Sequence, residues 1–183
     1  GLDVRDFGLI FGKRKGLTTN LATRPFWVVA GSGIDVRRYG MKTKKIVIKS
    51  TSGFCPVDYA YNDKLTITAN SIAYEYKPYL ESDNSLNVHR KWSYKTTNSI
   101  FSLAFEKIAV AVDEILSRDQ EAMYCDCGNI DFIVTYDDGN KVAREFGVPA
   151  DEFVDCFKII REIIPVTEDV PEAIKISEDC DDE

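Results

Sequence analysis

Leu65-Thr66-Ile67-Thr68-Ala69-Asn70-Ser71-Ile72-Ala73-Tyr74-Glu75-Tyr76 is the stretch that decides the fold class. Apolar and polar side chains alternate on both sides of Ala69-Asn70, the period of a strand with one face buried and one wet. An even-length connection sets Ile67 opposite Ile72 and Leu65 opposite Tyr74, so the apolar residues of both arms share one face of a hairpin. Tyr74 and Tyr76 fall on that face with Ile72.

Working outward, residues 44–50 (KKIVIKS) read as a short strand upstream. Downstream, Pro78 ends the hairpin, a polar loop follows over 81–87, and 90–95 (RKWSYK) reads as a further strand. Asn98 or Ser99 then offers a helix cap. Phe101, Phe105, Ile108, Val112 and Ile115 step by four, three, four and three, which predicts an amphipathic helix ending near Arg118.

The second half repeats the plan. Ile130, Phe132, Val134 and Tyr136 alternate with polar or outward residues, and Asp137-Asp138-Gly139 predicts a turn with glycine in the left-handed position. That three-residue loop puts Val142 and Phe146 on the face of Val134 and Ile130. A second helix is expected after Pro149, capped by Asp151, carrying Phe153, Phe157, Ile160 and Ile164 until Pro165 stops it. Both helices open with Phe-x-x-x-Phe-x-x-Ile. The expected fold is therefore α+β: two strand-strand-helix units, 65–116 and 129–164, forming one antiparallel sheet with both helices on one face. The expected core is Ile67, Ile72, Phe101, Phe105, Ile108, Val112, Phe132, Val134, Phe146, Phe153, Phe157 and Ile160.

The flanks differ from this centre in charge. Residues 1–40 hold seven Lys and Arg against three Asp, a net +4 that leaves −11 for the rest of a chain whose total is −7. With apolar patches at Phe7, Ile10, Phe11, Phe26 and Trp27, they read as a basic N-terminal extension or arm ahead of Met41, either a linker or a translated leader, and as a candidate for self-association. Residues 41–165 are expected to be a single domain. Residues 166–183, with eight acidic residues and one lysine, are expected to be a solvated acidic tail around a short Ala173-Ile174 contact.

Composition excludes more than it assigns. The 183 residues, 44 % hydrophobic and 29 % charged, are enough for a real core and too apolar for intrinsic disorder. A net negative chain argues against a nucleic-acid partner, which needs a surplus of Lys and Arg on one face. No run approaches the ~20 apolar residues of a membrane span and no secretory layout opens the chain, so a cytoplasmic protein without a membrane partner is expected. His89 is the only histidine, so any triad, His-ligated metal or histidine base rests on that residue. Val28-Val29-Ala30-Gly31-Ser32-Gly33 resembles the entry to a dinucleotide site but lacks the third glycine and a helical continuation. Asp6-Phe7-Gly8 matches a kinase triplet without its companion motifs.

Five cysteines, odd in number and widely spread, read as reduced thiols. Cys125 and Cys127, two apart and on one side of an extended segment, are half of a soft-metal site. Cys55, Cys156, Cys180 or His89 would have to supply the rest. No cofactor and no catalytic residue is expected. An enzyme or metal protein built on Cys125, Cys127 and the carboxylates of Asp126, Asp131, Asp137 and Asp138 is the alternative reading, and an accessory domain of a larger protein is a third.

Tyrosine and tryptophan concentrate between residues 59 and 94, and Trp92 and Tyr94 sit two apart on one strand face, flanked by Arg90, Lys91 and Lys95. Large rigid aromatics inside a positive rim suit partner recognition. With Tyr74 and Tyr76 committed to the core face, Trp92 and Tyr94 are expected to be the more exposed pair. Ser71-Ile72-Ala73-Tyr74-Glu75-Tyr76, Lys91-Trp92-Ser93-Tyr94-Lys95-Thr96, Phe101 with Phe105, Tyr136-Asp137-Asp138-Gly139, Phe157-Lys158-Ile159-Ile160 and Ile164-Pro165 together resemble a family of short uncharacterised bacterial proteins, from 41 to about 176. That resemblance implies a bacterial cytoplasmic origin and carries over no activity. The expected function is a non-catalytic interaction or regulatory module that offers a sheet face or edge strand to a protein partner.

Overall fold

The computed structural model describes residues 41–80, 87–118 and 128–179. The expected arm over 1–40 and the Cys125, Cys127 pair lie outside these residues. Six strands and two helices follow in chain order: β1 (Thr43–Thr51), β2 (Tyr61–Thr68), β3 (Ser71–Pro78), β4 (Arg90–Lys95), α1 (Ser99–Ser117), β5 (Asn129–Tyr136), β6 (Lys141–Phe146) and α2 (Val154–Arg161). The strands form one antiparallel sheet in the order β4-β3-β2-β1-β5-β6. The fold is α+β, as expected from the alternation.

The hairpin register is the one its pattern dictates: Leu65 faces Tyr74 and Ile67 faces Ile72. In the second hairpin Ile130 faces Phe146 and Val134 faces Val142, with Gly139 at φ +89° completing the turn. A side chain at that φ would be strained. Gly128 is required for a different reason. It enters β5 at φ +67°, where a Cβ would come within 2.2 Å of the Thr51 carbonyl oxygen.

β1 is the middle strand, paired to β2 on one side and β5 on the other. Its position explains its continuous apolar run. Ile46 and Ile48 lie fully buried on the helix side, while Val47, on the opposite face between Thr66 and Ile133, is only 7 % exposed. Both helices contribute to the one core on the helix side, and every member of the expected core is buried. A fully buried Leu or Phe side chain contributes about 1.5–3 kcal/mol by leaving water, so this face is the main source of stability.

α1 begins where its cap predicts, with the Asn98 Oδ1 accepting from the Ile100 N–H at 2.9 Å. α2 corrects the expectation. Residues Ala150–Phe153 form a 3-10 turn, Val154 opens the α-helix without a side-chain cap, and the helix ends at Arg161. Asp151 is not the cap because its Oδ1 is taken by the N–H and hydroxyl of Ser177, at 3.0 and 2.7 Å. Since the helix stops early, Ile163 is the buried residue of the final turn and Ile164 is partly exposed.

The acidic segment after Pro165 is docked far more deeply than a solvated tail. Ala173, Ile174 and Ile176 are each at most 3 % exposed within the core. Arg161 holds the segment from α2, donating to the Ile174 carbonyl at 2.6 Å and to both carboxylate oxygens of Asp179. The segment's charge misleads because, over its described residues, the acidic side chains are exposed or meet specific partners while Ala173, Ile174 and Ile176 turn inward. No described helix is long and apolar enough to cross a membrane.

Candidate partner interface

β4 is the last strand on its side of the sheet, bonded to β3 alone among the described strands. Arg90 faces Tyr76, Trp92 faces Tyr74 and Tyr94 faces Ile72, while Lys91 faces Glu75 and Lys95 faces Ser71. Directly opposed residues share a face. Arg90, Trp92 and Tyr94 therefore lie on the helix side, and Lys91 and Lys95 on the open side. The expected rim is split between the two faces of one strand.

Alternation from Tyr74 does not place Trp92 and Tyr94 on the opposite face; they extend the same aromatic layer to the sheet edge. Trp92 is half-buried against Tyr74, ring centroids 5.8 Å apart, whereas Tyr94 is 42 % exposed and leans on Phe101 at 6.3 Å. The buried Trp92 Nε1 has no hydrogen-bond partner among the described residues. Lys91 and Lys95 are exposed and form no ion pair among the described residues.

Beside β4 opens a cleft of about 740 Å³ between the strand and the segment after Pro165. Its wall on the strand side is basic, with His89, Arg90 and Lys91. The opposite wall holds Glu168, Asp169 and Glu172. The Arg90 guanidinium lies over the Tyr76 ring, 4.3 Å from its centroid, and meets the Glu172 carboxylate at 3.5 Å. Glu172 is also held by Lys175 at 2.9 Å. On the open face the Glu75 carboxylate is held below its ordinary pKa by a hydrogen bond from Lys77 and then by His89.

Asp63, on β2 and bonded to the segment after Pro165 through Ala173, is a residue that sequence reasoning passed over. It is 3 % exposed and forms no ion pair among the described residues. Its Oδ1 accepts from the N–H and hydroxyl of Ser50 at 3.0 and 2.6 Å, and its Oδ2 accepts from the Ala173 N–H at 2.7 Å. Burial raises its pKa, opposed by these hydrogen bonds and one from Tyr74. Burial likewise raises the phenols of Tyr61 and Tyr74, with Asp63 adding to both. The Tyr74 hydroxyl accepts from the Glu172 N–H at 3.2 Å, and the Tyr76 hydroxyl donates to Asn87 at 2.5 Å. The cleft wall is thus bolted to the sheet by polar contacts. The signal for Asp63 was its phase: 63, 65 and 67 share the inward face of one strand.

Among the described residues His89 meets Glu75 alone, and Asp131, whose pKa burial raises, lies on the open face with Glu145. Among the described residues no group of three or more His, Cys, Asp and Glu is placed to hold a metal ion. Cys156 is buried and its thiol is pushed up to about 12 by that burial, which removes it as a nucleophile or a ready ligand. No protein-family model matches the chain, and no curated protein matches it.

Proposed function

We propose that the protein is a non-catalytic interaction module whose β4 edge takes an extended acidic segment of a protein partner as a seventh strand. The observation that carries this reading is the terminal place of β4 in the sheet, with unpaired Lys91 and Lys95 on one face and Trp92 and Tyr94 on the other. Strand addition draws affinity from main-chain hydrogen bonds and specificity from alternate side chains. A matching segment would set acidic residues four apart against Lys91 and Lys95, and apolar residues between them against the two rings. Of the two strand-strand-helix units expected either side of β1, 129–164 runs through β5, β6 and α2, whereas 65–116 carries a third strand, β4, before α1. Phe101, Phe105 and Ile108 of α1, and Phe157 and Ile160 of α2 with Phe153 of the turn before it, enter one core.

Selection from a displayed random-peptide library tests it. Peptides that alternate acidic and apolar residues should enrich, and Lys91→Glu with Lys95→Glu should abolish their binding at an unchanged melting temperature. An absence of binders, or binders indifferent to that charge reversal, would overturn the reading.

A further inference from the structure

The sheet face turned away from the helices carries its charges in an order that the single chain does not use. Across β2, β1, β5 and β6 one row reads Lys64, Lys49, Asp131, Glu145, each residue directly opposite the next. Lys49 beside Lys64 and Asp131 beside Glu145 are like charges directly opposed, an arrangement that costs stability. None of the four forms an ion pair among the described residues, and all but the half-buried Asp131 are exposed. They line a concavity of about 400 Å³. The row beside them, Thr66, Val47, Ile133 and Ala143, carries no charge.

The order of the charged row says what covers it. We propose that this face packs on the same face of a second copy of the chain, about a two-fold axis parallel to the strands and lying between β1 and β5. Rotation about that axis keeps every residue in its row and sets β1 over the partner's β5 and β2 over its β6. Lys49 then stands over the partner's Asp131 and Lys64 over the partner's Glu145, each contact made twice. In the uncharged row Val47 meets the partner's Ile133 and Thr66 meets the partner's Ala143. One strand to the side, each lysine of the row has the other carboxylate of the partner; the like charges at that offset are Lys49 with Lys49 and Asp131 with Asp131, across the axis.

Other placements lose the match. An axis between β2 and β1 would set Lys64 over Lys49 and Glu75 over Asp131. An axis across the strands, through the uncharged row, would set Lys49 over Lys45 and Lys91 over Lys95, leaving only Glu145 over Lys141 attractive. In the proposed pair Lys45 and Lys141 stand over the partner's Thr135 and Thr68 at the rim, where their stems carry both charges to solvent. Aligned packing of two sheets about 10 Å apart is ordinary sandwich geometry, and Lys and Glu side chains span that gap. An overlap of four strands covers roughly 400 Å² per copy, below the standard interface size, so the dimer is concentration-dependent. Strands β3 and β4 lie outside the overlap, and the inference is independent of the β4 reading.

Sedimentation of the full chain between about 1 and 200 µM, a range suited to a small interface, tests it. A monomer–dimer equilibrium that weakens as salt rises is expected. Lys49→Glu with Lys64→Glu should raise the dissociation constant about tenfold or more, and Asp131→Lys with Glu145→Lys should do the same, because each sets like charges over one another. Mixed in equal amounts, the two double variants should pair with each other at least as tightly as wild type, since one row is then wholly negative and the other wholly positive. Thermal melting shows whether each variant is folded. A measurement on wild type needs no variant: zero-length carbodiimide coupling of mixed isotopically light and heavy chains should join Lys49 to Asp131, or Lys64 to Glu145, between a light and a heavy chain. A wild-type monomer throughout the range, folded double variants that dimerise like wild type or fail to pair when mixed, or no light-to-heavy coupling at these residues would each overturn the proposal.

Discussion

The two ends of the helix-side face are built from opposite materials. Over β5 and β6 the filling is phenylalanine: Phe132 meets Phe146, Phe153 and Phe157 at centroid distances of 5.8, 5.1 and 6.2 Å. Over β2, β3 and β4 it is tyrosine and tryptophan, with Tyr61 stacked on Tyr76 at 4.9 Å and Tyr74 tilted against Trp92, beside the buried Asp63. The phenylalanine end is held by packing and edge-to-face ring contacts, which are short-ranged and non-specific in partner. At the tyrosine end each tyrosine also carries a hydroxyl, a group that is costly to bury unless it is bonded, so cohesion there draws on a few directional contacts to Asp63, Asn87 and Glu172. A domain can therefore have one end that fails only by unfolding and another that loosens when single bonds break. The second end is the one next to the β4 cleft.

The largest effect belongs to the packed end. Phe157→Ala should destabilise the protein by about 3–5 kcal/mol, the usual cost of an emptied phenylalanine site, and Phe105→Ala by a comparable amount. Denaturant titration reads both, and a loss under about 1 kcal/mol would erase the contrast between the ends.

At the polar end Asp63→Asn separates charge from shape. Because burial raises the pKa of Asp63 in the folded protein, the native state binds its proton more tightly than the unfolded chain does. The stabilisation from that proton is fully present below the ordinary carboxylate pKa of about 3.9 and is lost as pH rises through the raised folded value. Stability of the variant relative to wild type should thus improve with pH across this window, measured as paired melting curves from pH 4 to 7. A parallel pair of curves would show that Asp63 does not titrate on unfolding.

The smallest effects sharpen the boundary. Tyr94→Ala, at an exposed ring, should cost under about 1 kcal/mol, whereas Trp92→Ala should cost more because its ring is packed on Tyr74. Equal losses in calorimetry would mean that the edge rings share one environment.

The hairpins of both ends were legible in the sequence. Period-two alternation in 65–76 and 130–136 leaves one register that puts the main apolar run of each strand on the helix side, so both hairpins could be written down residue by residue. Helix steps of three and four did the same for Phe101 to Ile115. The face of Trp92 was not legible, because many residues of sequence separate it from Tyr74 and their number does not fix the parity of the next strand. Nor was the Asp63 contact with Ala173, whose partners are 110 residues apart and joined through a backbone N–H that carries no side-chain signature. The docked segment around Ile174 and Ile176 has no periodicity, and its acidic composition outweighed three inward residues. The candidate interface was half visible: the five residues on β4 were identified as a group, but their division between two faces came from the pairing with β3.

The central place of β1 has a consequence for how the chain reaches this structure. Its pairing with β2 joins residues such as Ile48 and Leu65, close in sequence, while its pairing with β5 joins Ile48 to Phe132. During synthesis the meander of β1 to β4 can close early, but the other side of β1, with Ile46, Val47 and Ile48, waits for Asn129–Tyr136. At ~5–20 residues per second that wait lasts on the order of 4–16 s. For this interval a strand with three consecutive apolar residues is an open template for any other nascent copy, so contact order rather than final stability sets its exposure to misassembly.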